Sequence, residues 1–363
     1  MIRWIVLLFC IVAIPVAAEV PFEVEKQKLK LSLEYESYVD VLTNEIRTTG
    51  IKATYLFRAK GPLGGDSYWT IDLNTGAKTN FDRTFISGNL SPLIWSNRAN
   101  VRTVFPAGPF YFSGGFYFRN KWVANADDPD LFVDIFGGVG FTDVAGIVQA
   151  GVFLSPVWEL SFTGHKTSQR YDRFQFSNTD SLIGSARLSR TFTKARVSLE
   201  YRARLVDYQR PVVLDDVIVI PFTETTPVLQ HDLLREAGVN VEILKPFYIS
   251  ASYFYQDNNS NNPGFSYTNN RMTILIGTAL SDDWHFQAYG ILQNQSFADP
   301  SSIFQVPVIL DENENNTMAA SLIRSIQTSQ EIELGVQRLS YNSSYAQLDT
   351  SKFILYVAYN FRF

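Results

Sequence analysis

The clearest pattern in the chain is an alternation of apolar and polar residues with a period of two. It is complete from Lys194 to Leu205, where small or apolar residues occupy every odd position and Lys, Arg, Ser or Glu every even one. Leu29–Tyr35 alternates in the same way, and so does Trp284–Gln293 with Ile291 as an exception. A helix would scatter these polar residues around its circumference, whereas a strand separates them onto two faces. The pattern therefore predicts strands with one apolar face and one wet face.

These strands are too long for an ordinary soluble sheet. They run for about 9–12 residues, whereas soluble strands average about 5–6 and a tilted membrane strand needs about 9–11. A sheet that spans lipid must close, because an open edge would leave backbone groups unsatisfied in hydrocarbon. We therefore expect an all-β fold, a closed antiparallel transmembrane β-barrel of about 16 strands, with roughly 14 to 18 as the range. In Glu331–Tyr341 the alternation changes phase after Val336, which predicts a β-bulge near Gln337 and Arg338.

The predicted connections differ in length, as expected for a barrel with short periplasmic turns and long external loops. Short connections are expected at Thr191–Thr193, Leu244–Pro246, Ser281–Asp283 and Thr328–Gln330. Long polar connections are expected at His165–Asp180, Val206–Leu233, Gln256–Asn270 and Asn294–Asn316.

The first residues read as a secretory signal peptide. Arg3 precedes an apolar run from Trp4 to Val16, and small residues follow up to Ala18, where cleavage is expected. Residues 1–18 are thus predicted to be the signal peptide and residues 19–363 the barrel. The single cysteine, Cys10, lies in the leader, so the mature chain can form neither a disulfide nor a cysteine-based metal site.

The last twelve residues carry a recognisable signature. From Phe353 to Phe363 every second residue is aromatic or aliphatic, and the chain ends in phenylalanine. This resembles the terminal strand of Gram-negative outer-membrane barrels, which the barrel-assembly machinery reads. The resemblance implies that Tyr359, Phe361 and Phe363 form the assembly signal, that the protein is porin-like, and that its location is the outer membrane. It does not single out one family, and assembly of several copies into a homo-oligomer stays open.

The polar faces of the strands supply the candidate site, because they would line the lumen when the apolar faces meet lipid. A basic group is expected on one strand and its predecessor, and an acidic group on strands near the two chain ends. Because the chain ends meet at closure, the two groups would face each other and set up a field across a water-filled pore. The alternative is that the charges pair and brace the lumen. The basic residues are Arg187, Lys194, Arg196, Arg202 and Arg204; the acidic residues are Glu34, Glu36, Glu331 and Glu333.

The expected function is passive diffusion of ions or small hydrophilic solutes through an outer-membrane channel. One alternative is the barrel of a polysaccharide or protein export system, because Asp257–Phe265 with Tyr267 resembles external loops of such barrels. Another is a closed structural or adhesive surface barrel. The net charge of -5 argues against a nucleic-acid partner, so the expected partners are outer-membrane lipid, the assembly machinery and the solutes.

Enzymatic activity is not expected, and neither a metal nor a cofactor is predicted. Omptin-type outer-membrane proteases use an Asp pair and an Asp-x-His pair, and Asp128-x-Asp130 and Asp283-x-His285 have that spacing. However, Asp283 falls in a predicted short turn, which is the opposite end of the barrel from an omptin-type site. Such pairs also arise readily by chance.

Overall fold

The computed structural model shows a closed, all-antiparallel barrel of 16 strands, which confirms the predicted fold class and strand number. It describes residues 22–40, 46–80, 93–123, 140–172, 175–214, 217–218, 227–298, 316–341 and 350–363. The predicted signal peptide lies outside these residues. No helix within the described ranges has both the length and the hydropathy needed to cross a bilayer.

The barrel strands vary from 12 to 19 residues, and one connection contains a hairpin of two strands with two residues each. In chain order they are β1 (Glu23–Asp40), β2 (Ile46–Gly64), β3 (Ser67–Asn80), β4 (Leu93–Ala107), β5 (Phe110–Val123), β6 (Phe141–Ser155), β7 (Trp158–Tyr171), β8 (Thr179–Thr191), β9 (Ala195–Pro211), β10 (Val213–Leu214), β11 (Val217–Ile218), β12 (Leu229–Ile243), β13 (Tyr248–Ser260), β14 (Tyr267–Ala279), β15 (Trp284–Phe297), β16 (Asn316–Gln327), β17 (Gln330–Tyr341) and β18 (Thr350–Arg362). Short 3-10 helices occupy Gln175–Ser177 and Pro263–Phe265.

Each barrel strand pairs with its neighbours in sequence, and the first and last strands close the cylinder. β9 pairs directly with β12, because β10 and β11 form a separate hairpin in the connection between them. β1 pairs with β18 over thirteen residue pairs, from Lys28–Arg362 to Asp40–Thr350. The amide of Phe363 also donates to the carbonyl of Gln27 at 3.1 Å. Closure therefore leaves no free sheet edge along this junction.

Short connections lie at one end of the barrel and longer ones at the other. The four predicted short turns join β8 to β9, β12 to β13, β14 to β15 and β16 to β17. Further tight turns join β2 to β3, β4 to β5 and β6 to β7. β1 begins and β18 ends at this same end. We call it the short-turn end; the usual asymmetry of outer-membrane barrels predicts that it faces the periplasm.

The strands extend further toward the long connections than the alternation indicates. The predicted loop His165–Asp180 is mostly strand, because β7 continues to Tyr171 and β8 begins at Thr179. Likewise Asp257–Ser260, assigned to a loop, is the end of β13. Beyond the apolar band both faces of a strand are wet, so the alternation disappears while the backbone ladder continues. Outward Arg170 and Asp180, which form a bidentate ion pair with oxygens at 2.7 and 2.8 Å, lie in this extension.

The predicted β-bulge in β17 is absent. Gln337 and Arg338 keep a regular register with both neighbouring strands, and the nearest register shift lies in β16, between Ser325 and Gln327. Arg338 simply faces outward and Leu339 inward at the end of the strand toward the long connections. At this end of the strand the outer face becomes polar. In the sequence this looks like a change in the phase of the alternation, although the register of the strand is unchanged.

The outer face of the barrel is apolar, as the alternation predicts. On β9 the exposed fractions of Leu199, Tyr201 and Leu205 are 58%, 51% and 52%. All five tryptophans of the described residues share this face. They lie toward the strand ends: Trp69, Trp158 and Trp284 near the short-turn end and Trp95 and Trp122 near the other. This arrangement corresponds to the two aromatic girdles of a membrane barrel.

Candidate functional site

The inner face of the barrel can be recognised from ion pairs that reach across an intervening strand. Lys30 of β1 contacts Glu333 of β17 at 2.9 Å, passing over β18. Arg196 of β9 contacts Glu159 of β7 at 2.6 Å, passing over β8. Side chains two strands apart converge only on the concave side of a curved sheet. The polar faces therefore line the lumen.

The predicted basic group lies mostly on this inner wall, where it is largely paired. Arg187 contacts Glu200 at 2.6 Å, and Arg202 contacts Glu200 at 2.8 Å and Glu236 at 3.0 Å. Arg196 pairs with Glu159, as described above. These carboxylates sit on the same strand, on a neighbouring strand or two strands away, so the three guanidinium charges are balanced locally.

Two members of the predicted basic group behave differently. Lys194 is exposed in the turn before β9 and is not a position of the strand itself. Arg204 lies on the inner face of β9, directly opposite Ile183 and Leu234. Its Nε is buried and has no hydrogen-bond partner within the part of the chain that the structure describes.

The predicted acidic group is on the inner wall at the closure of the barrel. β1 is first and β9 ninth in the order of strands around the cylinder, so the acidic and basic groups lie on opposite sides. However, the carboxylates are surrounded by cations of β1, β2, β3 and β18. Six cations contact these four carboxylates, so the negative charge of the acidic group is offset within the wall itself. The contacts are Glu34 with Lys52 (3.8 Å) and Lys78 (3.0 Å), Glu36 with Lys78 and Lys352 (3.3 Å), Glu331 with Lys28 (3.3 Å) and Arg362, and Glu333 with Lys30 (2.9 Å).

The structure reveals a second basic group that the sequence analysis missed. We call it the β4–β5 basic patch; it consists of Arg98, Arg102, Arg119 and Lys121, which the register places on the inner face. Neither β4 nor β5 contains an aspartate or glutamate. Arg98 and Arg119 are directly opposite each other in the ladder, a position in which like charges repel.

The positive charges of this patch are only partly neutralised by carboxylates, unlike the paired charges elsewhere in the lumen. Arg119 has one carboxylate, Asp143, at 3.6 Å, and Arg102 donates to the uncharged Ser113 and Gln149. Arg98 is exposed to the lumen and forms no ion pair with a described residue. Arg98 and Arg102 therefore present positive charge to the lumen without a carboxylate partner among the described residues.

The wall opposite the patch carries no carboxylate. β14, β15 and β16 contain no acidic residue, and β14 and β15 are diametrically opposite β4 and β5. Amides line part of this wall: Asn269 donates to Gln256 at 2.6 Å and to Gln293 at 3.3 Å. Arg271 of β14, opposite inward Gln293 in the ladder, adds a positive charge to this wall. The strands on these two sides of the lumen therefore carry cations and no carboxylate.

Three aromatic rings lie flat on the inner wall because a glycine sits beneath each one. A Cβ placed on Gly335 would overlap the ring of Tyr356, and the pairs Gly151–Tyr111 and Gly238–Phe254 share this geometry. The hydroxyl of Tyr356 also donates to Glu333 at 2.8 Å. The glycines thus keep bulky side chains against the wall and out of the channel.

We expect Gly335→Ala to destabilise the barrel by about 1–3 kcal/mol, because Tyr356 must leave the wall or the strands must separate. Urea unfolding in detergent or vesicles measures the change. Gly184→Ala is the matched control, since nothing lies within 4 Å of a Cβ at this outward position. The control should be neutral or slightly stabilising. Equal losses in both variants would contradict the role assigned to the ring contact.

The residues with protease-like spacing do not come together as a site among the described residues. Asp283 is in the short turn before β15 and His285 is the second residue of that strand, so both lie at the short-turn end. Asp128 and Asp130 lie outside the described residues. Among the described residues there is also no group of three or more histidine, cysteine, aspartate or glutamate side chains that could hold a metal.

A closed antiparallel cylinder with an apolar outer face and a polar lumen defines the class of transmembrane β-barrels found in bacterial outer membranes. No protein-family model and no curated protein sequence matches the chain. Among solved structures, it is similar to OprB of Pseudomonas putida, with a TM-score of 0.51, 9% identity and 94% of each chain covered. CdiB from Acinetobacter baumannii gives a TM-score of 0.48 at 8% identity and covers 93% of this chain and 60% of that one. At these identities the similarity to OprB establishes the fold alone, and it confirms the resemblance to outer-membrane barrels.

Proposed function

We propose that the protein is an outer-membrane channel for the passive diffusion of small hydrophilic solutes, and that it favours anions over cations. The observation that carries the proposal is the lumen of a closed 16-strand barrel in which Arg98 and Arg102 have no carboxylate partner among the described residues. A barrel of about this size leaves room for an aqueous channel, and charged rings in a pore set its ion preference.

The remaining features of the chain fit the same proposal. Residues 1–18 would direct export and be removed, and Tyr359, Phe361 and Phe363 would present the assembly signal. Tyr359 and Phe361 are in edge-to-face contact at 4.5 Å, and the exposed ring of Phe363 stacks beyond them at 6.5 Å. The proposed transport needs no chemical step, so the protein would act without catalysis.

Planar-bilayer recording tests the proposal. Folded protein, recognised by its heat-modifiable mobility on a gel, should insert and give discrete open steps. Under a gradient of KCl the reversal potential should indicate a preference for chloride, because the β4–β5 basic patch raises the local anion concentration. The preference should weaken at high salt as the patch is screened.

Two outcomes would contradict the proposal in different ways. Folded protein that inserts without any open steps would favour a closed structural barrel. Open steps with a preference for potassium would retain the channel but refute the role of the basic patch.

A further inference from the structure

Two tryptophan–arginine pairs with the same geometry lie on the outer face near the short-turn end. Trp158 is the first residue of β7, and Arg190 of β8 is directly opposite it in the ladder. Trp284 is the first residue of β15, and Arg324 of β16 is directly opposite it. The guanidinium carbon lies 5.3 Å from the ring centroid in the first pair and 5.5 Å in the second. The arrangement thus occurs twice, on well-separated parts of the barrel.

Both arginines point toward the membrane. Arg190 alternates with inward Ser189 and shares its face with Leu188, and Arg324 shares its face with Leu322. Arg190 is followed by only one more residue of β8, and Arg324 by three of β16, before a short turn begins. These positions correspond to the boundary between acyl chains and headgroups, where amphipathic tryptophan rings prefer to lie.

Neither arginine has an anionic partner in the part of the chain that the structure describes. Asp282 and Asp283 occupy the turn before Trp284, but neither forms an ion pair with Arg324. Arg190 makes only ring contacts, with Trp158 and with Phe192 at 4.7 Å. Toward the opposite end of the barrel, in contrast, outward Arg170 is neutralised by Asp180 of its own chain. The short-turn end therefore holds two guanidinium groups that lie over indole rings and form no hydrogen bond or ion pair with a described residue.

We propose that each tryptophan–arginine pair binds the phosphate of a glycerophospholipid in the leaflet at the short-turn end. The indole holds one face of the guanidinium, which leaves its edge free to donate two parallel hydrogen bonds to phosphate oxygens. The lipid's acyl chains lie against the neighbouring apolar positions of the outer face, such as Leu160 or Leu322. Because a free phosphate lacks these apolar contacts, the site selects the lipid over the ion.

Native mass spectrometry of the folded barrel, released from micelles that contain dioleoylphosphatidylglycerol, tests this site. Wild-type protein should retain two more phospholipid molecules than the variant Arg190→Gln/Arg324→Gln, and each single variant should lose one. The double lysine variant should retain an intermediate number, since lysine keeps the charge but cannot stack as a plane. Only protein with heat-modifiable mobility is compared, so a folding defect cannot imitate the loss.

Three comparisons separate the phosphate site from general adhesion of lipid. Arg338→Gln removes an outward arginine near the other end of the barrel and should retain as many phospholipids as wild type. Dioleoylglycerol, which lacks the phosphate, should be retained equally by all variants. An excess of inorganic phosphate should not displace the phospholipid, and displacement would show that the acyl chains contribute nothing. Equal phospholipid retention by wild type and the double glutamine variant would refute the proposal.

Discussion

We expect the exchange of Arg98 and Arg119 for glutamate to reverse the proposed anion preference and make the channel cation-selective. The two side chains are directly opposite each other on the inner face of β4 and β5, which contain no acidic residue. Four units of charge change at one level of the lumen, and among the described residues Asp143 is the only carboxylate that contacts the present pair. We expect the ratio of cation to anion permeability to rise by about tenfold or more, measured as a change of sign in the reversal potential at low salt.

Two further variants serve as controls for this experiment. Arg338→Glu makes the same chemical change on the outer face and should leave the selectivity of the channel unaltered. Arg202→Glu should instead impair folding, because it would place a third carboxylate beside Glu200 and Glu236 and break both of their contacts. If the exchange at Arg98 and Arg119 leaves the reversal potential unchanged, the basic patch does not control permeation.

Replacing Glu36 with leucine should be among the most destabilising single changes in the barrel. The carboxylate is fully buried and contacts both Lys78 of β3 and Lys352 of β18. Its removal leaves two poorly exposed ammonium groups without this partner, and breaking a buried ion pair in this way costs about 3–5 kcal/mol. Equilibrium unfolding in urea should reveal the loss, and the heat-modifiable band should convert at a lower temperature.

Arg187→Gln provides the matched control for Glu36→Leu. The Arg187 side chain is 50% exposed, and its partner Glu200 keeps a second contact with Arg202. Exposed ion pairs contribute about 0–1 kcal/mol, so the stability of this variant should stay close to that of wild type. A loss in Glu36→Leu no larger than in Arg187→Gln would show that the network at the closure does not hold the barrel together.

The strands of the second half could be predicted because the alternation of apolar and polar residues follows from their two environments, lipid and water. Along Lys194–Leu205, lipid on one side and water on the other impose opposite demands on successive residues. The structure has β9 from Ala195 to Pro211, with Leu199 and Tyr201 outward and Arg196 and Arg202 inward. Where both faces of a strand contact water, as in the extension of β7 to Tyr171, the alternation is lost and the sequence suggests a loop.

The charge balance of the lumen could not be predicted, because it depends on register rather than on strand content. Glu36 belongs to a run that looks acidic, yet Lys78 and Lys352 approach it from strands that are remote in sequence. The β4–β5 basic patch does leave a local trace, since Arg98 and Arg102 alternate with Ala99 and Val101. Numerous glycines and prolines around these strands obscured that trace.

The junction of β1 with β18 differs from every other seam of the barrel in one respect: no peptide joins the two strands. Its ladder is as regular as the rest, and the Phe363 amide already reaches Gln27. A short linker there, with the chain cut in one of the long connections, should reproduce the same cylinder as a circular permutant. The architecture thus resides in the ring of paired strands, and the place where the polypeptide begins is interchangeable.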